Sequence, residues 1–119
     1  MENKRKLGTE KESLAAAYLQ QRGMRILTRN FRCRQGEIDL IAQDGDTIVF
    51  VEVKYRKNTT LGLPEEAVPH QKMRRISRVA DYYLARWQVD QDVSCRFDVI
   101  AIQGPALRYY PDAFPYQER

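Results

Sequence analysis

Apolar and polar positions divide the chain into seven predicted elements. Residues 9–22, TEKESLAAAYLQQR, set Leu14, Ala15, Tyr18 and Leu19 on one face of a helix, with Thr9 available as its cap and Gly23 as its end. Residues 24–33, MRILTRNFRC, alternate around Ile26, Thr28 and Phe31 and predict a first strand. Two apolar runs follow, 38–42 and 47–53, separated by Gln43, Asp44, Gly45 and Asp46, the pattern of a hairpin on an Asp-Gly turn. Residues 57–67, KNTTLGLPEEA, have the composition of a loop. A second helix starts at Pro64 or Pro69 and runs to about Trp87, with Met73, Ile76, Val79, Ala80, Tyr83 and Leu84 as its apolar stripe and Lys72, Arg75 and Arg78 largely off it. Residues 94–102, SCRFDVIAI, predict a strand that enters the sheet beside the third by a helical crossover, hence parallel to it and with a right-handed connection. Leu107, Tyr109 and Tyr110 predict a short last strand, and residues 111–119 a loosely held tail. The order α-β-β-β-α-β-β predicts an α/β domain with a mixed sheet and flanking helices, and 119 residues suit one domain, with an ordered core of about 8–112.

Charge falls where this pattern leaves little room for it. Glu37, Asp39, Glu52 and Lys54 interrupt strands of otherwise core-like composition. Alternation sets Glu37 and Asp39 on one face of the second strand, and Glu52 and Lys54 on one face of the third. If the faces coincide, three carboxylates and an ammonium converge, and a divalent cation is the usual way to neutralise such a cluster. The same residues also suit a solvated hairpin, with Glu52 and Lys54 as a surface ion pair and Glu37 bonded to Arg32 or Arg34. Ile48, Val49, Phe50, Val51 and Val53 are apolar on both faces, so the third strand is expected to be central, and a Glu and a Lys at its end then need a reason.

An acidic residue on one strand followed by Glu-x-Lys at the end of the next resembles the PD-(D/E)XK nuclease superfamily of restriction-endonuclease-like and Holliday-junction-resolvase-like enzymes. The strings GEIDLIA and FVEVKYR are similar to those of the YraN-type family of small bacterial endonuclease-like proteins, over about residues 8–114. The resemblance implies a restriction-endonuclease-like fold and a Mg²⁺- or Mn²⁺-dependent endonuclease acting on DNA, with branched recombination or repair intermediates among its candidate substrates. It implies that Asp39, Glu52 and the Val53 carbonyl hold the metal and that Lys54 stabilises charge at the attacked phosphate. Glu37 would orient these groups or hold a second metal. Glu12 would complete the site, although Lys11 stands where the family has a Gly, and Glu12 equally suits a helix N-terminus. Junction-resolving members of the superfamily are dimers, which leaves a homodimer open here.

Net charge enters through its distribution. The formal charge is +4, and basic residues bracket the acidic motif: Arg22, Arg25, Arg29, Arg32 and Arg34 before it, Arg56 and Lys57 after it, and Lys72, Arg74, Arg75 and Arg78 on the second helix. Cations along a phosphate backbone with acids at the metal would take that order, and Arg32, Arg34, Arg56, Lys57, Lys72, Arg75 and Arg78 are the candidate DNA contacts. Two rival classes use the same residues: a catalytically weak nucleic-acid-binding module, and an adaptor for an acidic protein partner. Cys33 and Cys95 belong to no CxxC pair and are expected reduced on two strands, and His70, alone of its kind, suits a cap or surface position. No apolar run is long enough to span a bilayer and the first residues lack a signal peptide's apolar core, so a cytoplasmic protein without membrane contact is expected. Nothing in the residues separates DNA from RNA or one DNA structure from another.

Overall fold

The computed structural model describes residues 4–56, 68–87, 89–90 and 92–118. Its elements are α1 (Lys4–Gln21), β1 (Arg25–Cys33), β2 (Gly36–Asp44), β3 (Thr47–Arg56), α2 (His70–Arg86), β4 (Ser94–Gln103) and β5 (Ala106–Phe114). The strands form one sheet in the order β1-β2-β3-β4-β5. Neighbours joined by short turns pair antiparallel, whereas β3 and β4, joined through α2, pair parallel. Asp44 opposes Thr47 across a two-residue turn whose first position, Gly45, has φ +60, which a glycine takes without strain.

The two helices cover opposite faces of this sheet. Ala15, Ala16 and Leu19 of α1 pack on Leu40, Ala42, Val49, Val51, Ile100 and Ile102. Ile76, Val79, Ala80 and Tyr83 of α2 pack on Ile38, Ile41, Ile48, Phe50, Phe97, Val99 and Phe114. Strand β3 therefore sends Val49 and Val51 one way and Ile48 and Phe50 the other, which is why it reads as apolar throughout.

Several boundaries differ from the expected ones. Helix α1 begins at Lys4, so Thr9 lies inside it and not at its start; the lysines and arginine before Thr9 are themselves good helix formers. Its end is as expected: Gly23, at φ +92, donates to the Gln20 carbonyl, and the Met24 N–H reaches back to Leu19, the two bonds of a Schellman cap. Helix α2 starts after Pro69, and the loop at 57–67, with the alternative start at Pro64, lies outside the described residues. Cys33 on β1 and Cys95 on β4 are both free.

Residues 111–114 continue β5 instead of opening a loose tail. Pro111 reads as a stop, but β5 is an edge strand, where a missing N–H is tolerated. The ladder shifts register between Phe97 and Val99, Asp112 takes φ +51, and Phe114 then returns to stack on Phe97 at 5.0 Å between ring centres. The chain beyond is tied to α2: the Gln117 N–H donates to Ser77 Oγ at 3.0 Å, Arg78 donates to the Gln117 carbonyl, and the Tyr116 hydroxyl donates to Asp81 at 3.0 Å.

Candidate active site

At one end of the sheet the alternation of β2 breaks. Ile38 and Ile41 both pack toward α2, while Leu40 and Ala42 pack toward α1, so Asp39 sits at a change of face. Pairing between β2 and β3 stops at Leu40 and Val51, and past that point the Val53 N–H donates to Asp39 Oδ2 at 2.8 Å. A side-chain carboxylate thus accepts a bond from the backbone of β3 just where the ladder ends.

Glu52 and Lys54 lie beyond Phe50 on the face of β3 turned toward α2. Glu52 is buried, with 7 % of its surface exposed. Its carboxylate shares a hydrogen bond with Asp39. Burial, then the Glu52 charge and that shared bond, push Asp39 up to about 7, against the opposing pull of the Val53 N–H and the Lys72 charge. Burial, followed by a hydrogen bond with Lys72, brings Lys54 down to about 8, while Glu52 and Asp39 oppose the fall.

Lys72 belongs to this cluster as well. Its Nζ lies 3.0 Å from Glu52 Oε1. Burial alone would lower its pKa, but the hydrogen bond with Lys54 and the carboxylates of Glu52 and Asp39 outweigh it and raise it. The expectation that Lys72 stands off the apolar stripe is therefore corrected. Lys72 precedes the buried Ile76 by four residues and Val79 by seven, so it ends that stripe, and this spacing is the signal by which the sequence could have revealed it.

Glu12 approaches from α1. Burial, then the Asp39 charge, raises its pKa, with Asn30 and Arg29 opposing, and its Oε1 is buried without a hydrogen-bond partner. Glu37 stands apart: it opposes Arg32 across the β1–β2 ladder and pairs with it at 2.9 Å, both side chains well exposed. It lines, with Arg32, Glu52, Lys72 and Arg75, a cavity of about 500 Å³ beside the cluster.

The other candidates are scattered. Arg34 is exposed at the β1–β2 turn, Arg75 is exposed on α2, Arg56 ends β3, and Lys57 lies outside the described residues. Arg78 is engaged by the C-terminal segment. It bonds the Gln117 carbonyl, lies over the Tyr116 ring at 5.2 Å, and has its Nε 3.4 Å from Asp81 but off hydrogen-bond geometry. His70 is exposed at the first position of α2.

Hard oxygens on two adjacent strands, with a third buried carboxylate oxygen lacking a partner, suit a small divalent cation. Among the described residues no three acidic, His or Cys side chains already stand as a complete ligand set. Mg²⁺ needs no such set, since it keeps several waters and takes one or two carboxylates. Asp39 and Glu52 fit that requirement, with Glu12 in reserve.

A second carboxylate escaped the sequence reading. Asp98 on β4 is completely buried, accepts bonds from Arg96 at 3.1 and 3.3 Å, from the Tyr109 hydroxyl and from the Asp112 N–H at 2.8 Å, and Arg96 continues to Asp44 at 3.0 Å. It sits at the register shift of β4 and β5, on the side of the sheet facing α1, and its oxygens are fully occupied. Its signal was an acid inside an apolar strand, the same signal that drew attention to Glu52.

Comparison with known proteins gives the fold and the family. Hjc, a Holliday junction resolvase from the archaeal hyperthermophile Archaeoglobus fulgidus, solved at 1.6 Å, aligns with a TM-score of 0.53 over 87% of this chain and 71% of that one, at 20% identity. The fold is restriction-endonuclease-like. Curated relatives carry the name UPF0102 protein: one from Lachnoclostridium phytofermentans is 47% identical over 94% of this chain and 95% of its own length, and one from Geobacter metallireducens is 50% identical over 91% of each. The model of the uncharacterised protein family UPF0102 matches residues 11–102, a span that holds Glu12, Asp39, Glu52, Lys54 and Lys72. The chain belongs to UPF0102, the YraN-type family that its GEIDLIA and FVEVKYR strings resemble.

Proposed function

We propose that the protein is an endonuclease that hydrolyses phosphodiester bonds in DNA with the help of a divalent cation, Mg²⁺ or Mn²⁺, held by Asp39, Glu52 and the Val53 carbonyl. One observation carries the reading: Asp39 and Glu52, from adjacent strands, share a hydrogen bond in a partly buried setting with the Lys54 and Lys72 ammoniums beside them. Such a cluster is costly for stability alone and suits the chemistry of phosphate. The resolvase fold of the structural neighbour supports it by analogy.

A cation bound there would supply an acidified water and neutralise charge on the phosphate. The chain's own groups do the rest. The Val53 N–H fixes the orientation of the Asp39 carboxylate. Lys54, two residues past Glu52 and on the same face, donates to the phosphate oxygen where negative charge develops. Glu37, salt-bridged to Arg32, is given a supporting role at the rim of the cavity. Arg32, Arg34, Arg56, Lys57 and Arg75 are the cations offered to the DNA backbone; Lys72 is reassigned to the centre, and Arg78 is left out. Action on DNA accords with a cytoplasmic protein, and among the described residues no helix is long and apolar enough to cross a membrane. Symmetric incision of a four-way junction would need two such centres, hence a homodimer on that substrate.

The test is a cleavage screen with purified protein over four-way, flapped, duplex and single-stranded DNA in Mg²⁺, Mn²⁺ or EDTA. Products are expected in the metals and none in EDTA. Binding to every substrate without a cut in any metal would contradict the enzyme and favour the binding-module reading.

A further inference from the structure

The ion pair between Lys72 and Glu52 occupies the carboxylate to which the proposed function gives a divalent cation. We infer that Lys72 and the divalent cation compete for Glu52, so that the metal-free centre is closed by the chain's own ammonium, and cation binding turns that ammonium out into the adjoining cavity, where a phosphate is its partner. The inference rests on the metal reading above and adds to it a role for a helix residue that the Glu-x-Lys motif does not contain.

Three observations carry it. Lys72 Nζ stands 3.0 Å from Glu52 Oε1, with the Glu52 side chain almost sealed from solvent and that of Lys72 about one-third exposed. The pair is therefore a plug with a partly exposed outer end and a buried inner end. Secondly, Lys54 and Lys72 lie within hydrogen-bonding reach of each other, an arrangement that the Glu52 and Asp39 carboxylates make tolerable. Once a dication engages those carboxylates, their attraction for Lys72 weakens while the repulsion it feels grows. Lys54 is tied to a central strand, whereas Lys72 stands in the first turn of α2 on a flexible four-carbon stem, so Lys72 is the group that moves.

Thirdly, there is somewhere for it to go. The cavity of about 500 Å³ is lined by both members of the pair and by Arg32 and Arg75. An ammonium released there joins two guanidiniums, of which Arg32 is bound to Glu37. Such a group needs an anion, and the DNA backbone brings one. Cation and phosphate binding should then reinforce each other, because each relieves the charge that the other leaves unbalanced.

The experiment uses metal without DNA. Mn²⁺ is titrated by calorimetry into wild type and into Lys72→Met, which keeps the aliphatic stem and removes the charge. Tighter binding by roughly tenfold is expected in K72M, the weight of one partly buried ion pair. Equal or weaker affinity in K72M would overturn the inference and leave the metal reading standing; no binding to either protein would overturn both. A second measurement on wild type covers the case in which K72M does not fold. Acetylation of Lys72 by an amine-reactive ester, read by mass spectrometry, should rise with Mn²⁺ at the same half-saturation as the calorimetry. Labelling indifferent to a metal that demonstrably binds would overturn the displacement.

Discussion

Asp39 is held where the sheet changes face, one oxygen taken by the Val53 N–H and the carboxylate hydrogen-bonded to Glu52. Its pKa, raised from 3.8 to about 7, means that the folded chain binds this proton more tightly than the unfolded chain does. The stability so contributed is complete below pH 3.8 and is lost as pH rises to about 7. In EDTA the melting temperature of wild type should therefore decline across that window more than that of Asp39→Asn, which keeps the shape and cannot ionise. Identical slopes would show that Asp39 does not carry the proton. Added Mg²⁺ should act in the opposite sense, since it binds the ionised pair, and the melting shift it produces should grow toward pH 7 and vanish in Asp39→Asn. The sequence revealed Asp39, Glu52 and Lys54 through charge set in apolar strands. It left Glu37 open between the cluster and a bond to Arg32 or Arg34, and the structure pairs it with Arg32 at the rim of the cavity.

The strands and helices were legible wherever their pattern is local. The 3.6-residue stripe of α2, the two-sided apolar run of β3 and the Asp-Gly turn all follow from neighbours in the chain, and the sheet order follows from connection lengths. What escaped depends on contacts between distant segments. Phe114 belongs to the sheet because it meets Phe97, and residues 115–118 follow α2 because Ser77, Arg78 and Asp81 hold them. Arg78→Ala should accordingly lower stability by about 1–3 kcal/mol, through lost charged and ring contacts, while leaving DNA affinity unchanged. Loss of DNA affinity without loss of stability would return Arg78 to the DNA face. Asp98→Ala should be more severe, about 3–5 kcal/mol in a denaturant melt, because it leaves Arg96, Tyr109 and the Asp112 N–H facing an empty buried position. A loss below about 1 kcal/mol would show that this network contributes little to joining β4 and β5.

For the molecule as a whole, the charge excess matters through the cations that line the cavity, Arg32, Lys72 and Arg75. The centre combines carboxylates that repel phosphate with cations that attract it, so binding should depend on salt and on metal together. The log–log slope of affinity against salt on duplex DNA should fall by about 0.9 for each phosphate contact removed. Arg75→Ala, on the cavity wall, should remove one such contact, whereas Arg78→Ala should leave the slope as it was. Binding indifferent to salt would favour an adaptor whose arginines meet an acidic protein.

The proposed function stands or falls with Asp39 and Glu52 as a centre that cuts DNA. Its most direct test is single-turnover cleavage in Mg²⁺, with enzyme in excess, by wild type and Glu52→Gln on whichever DNA the wild type cuts fastest, with binding in Ca²⁺ as the control. A rate lower by at least about a thousandfold is expected in Glu52→Gln, a loss on the scale of a transition-state contact, with DNA affinity kept. Cleavage by Glu52→Gln at the wild-type rate would contradict it.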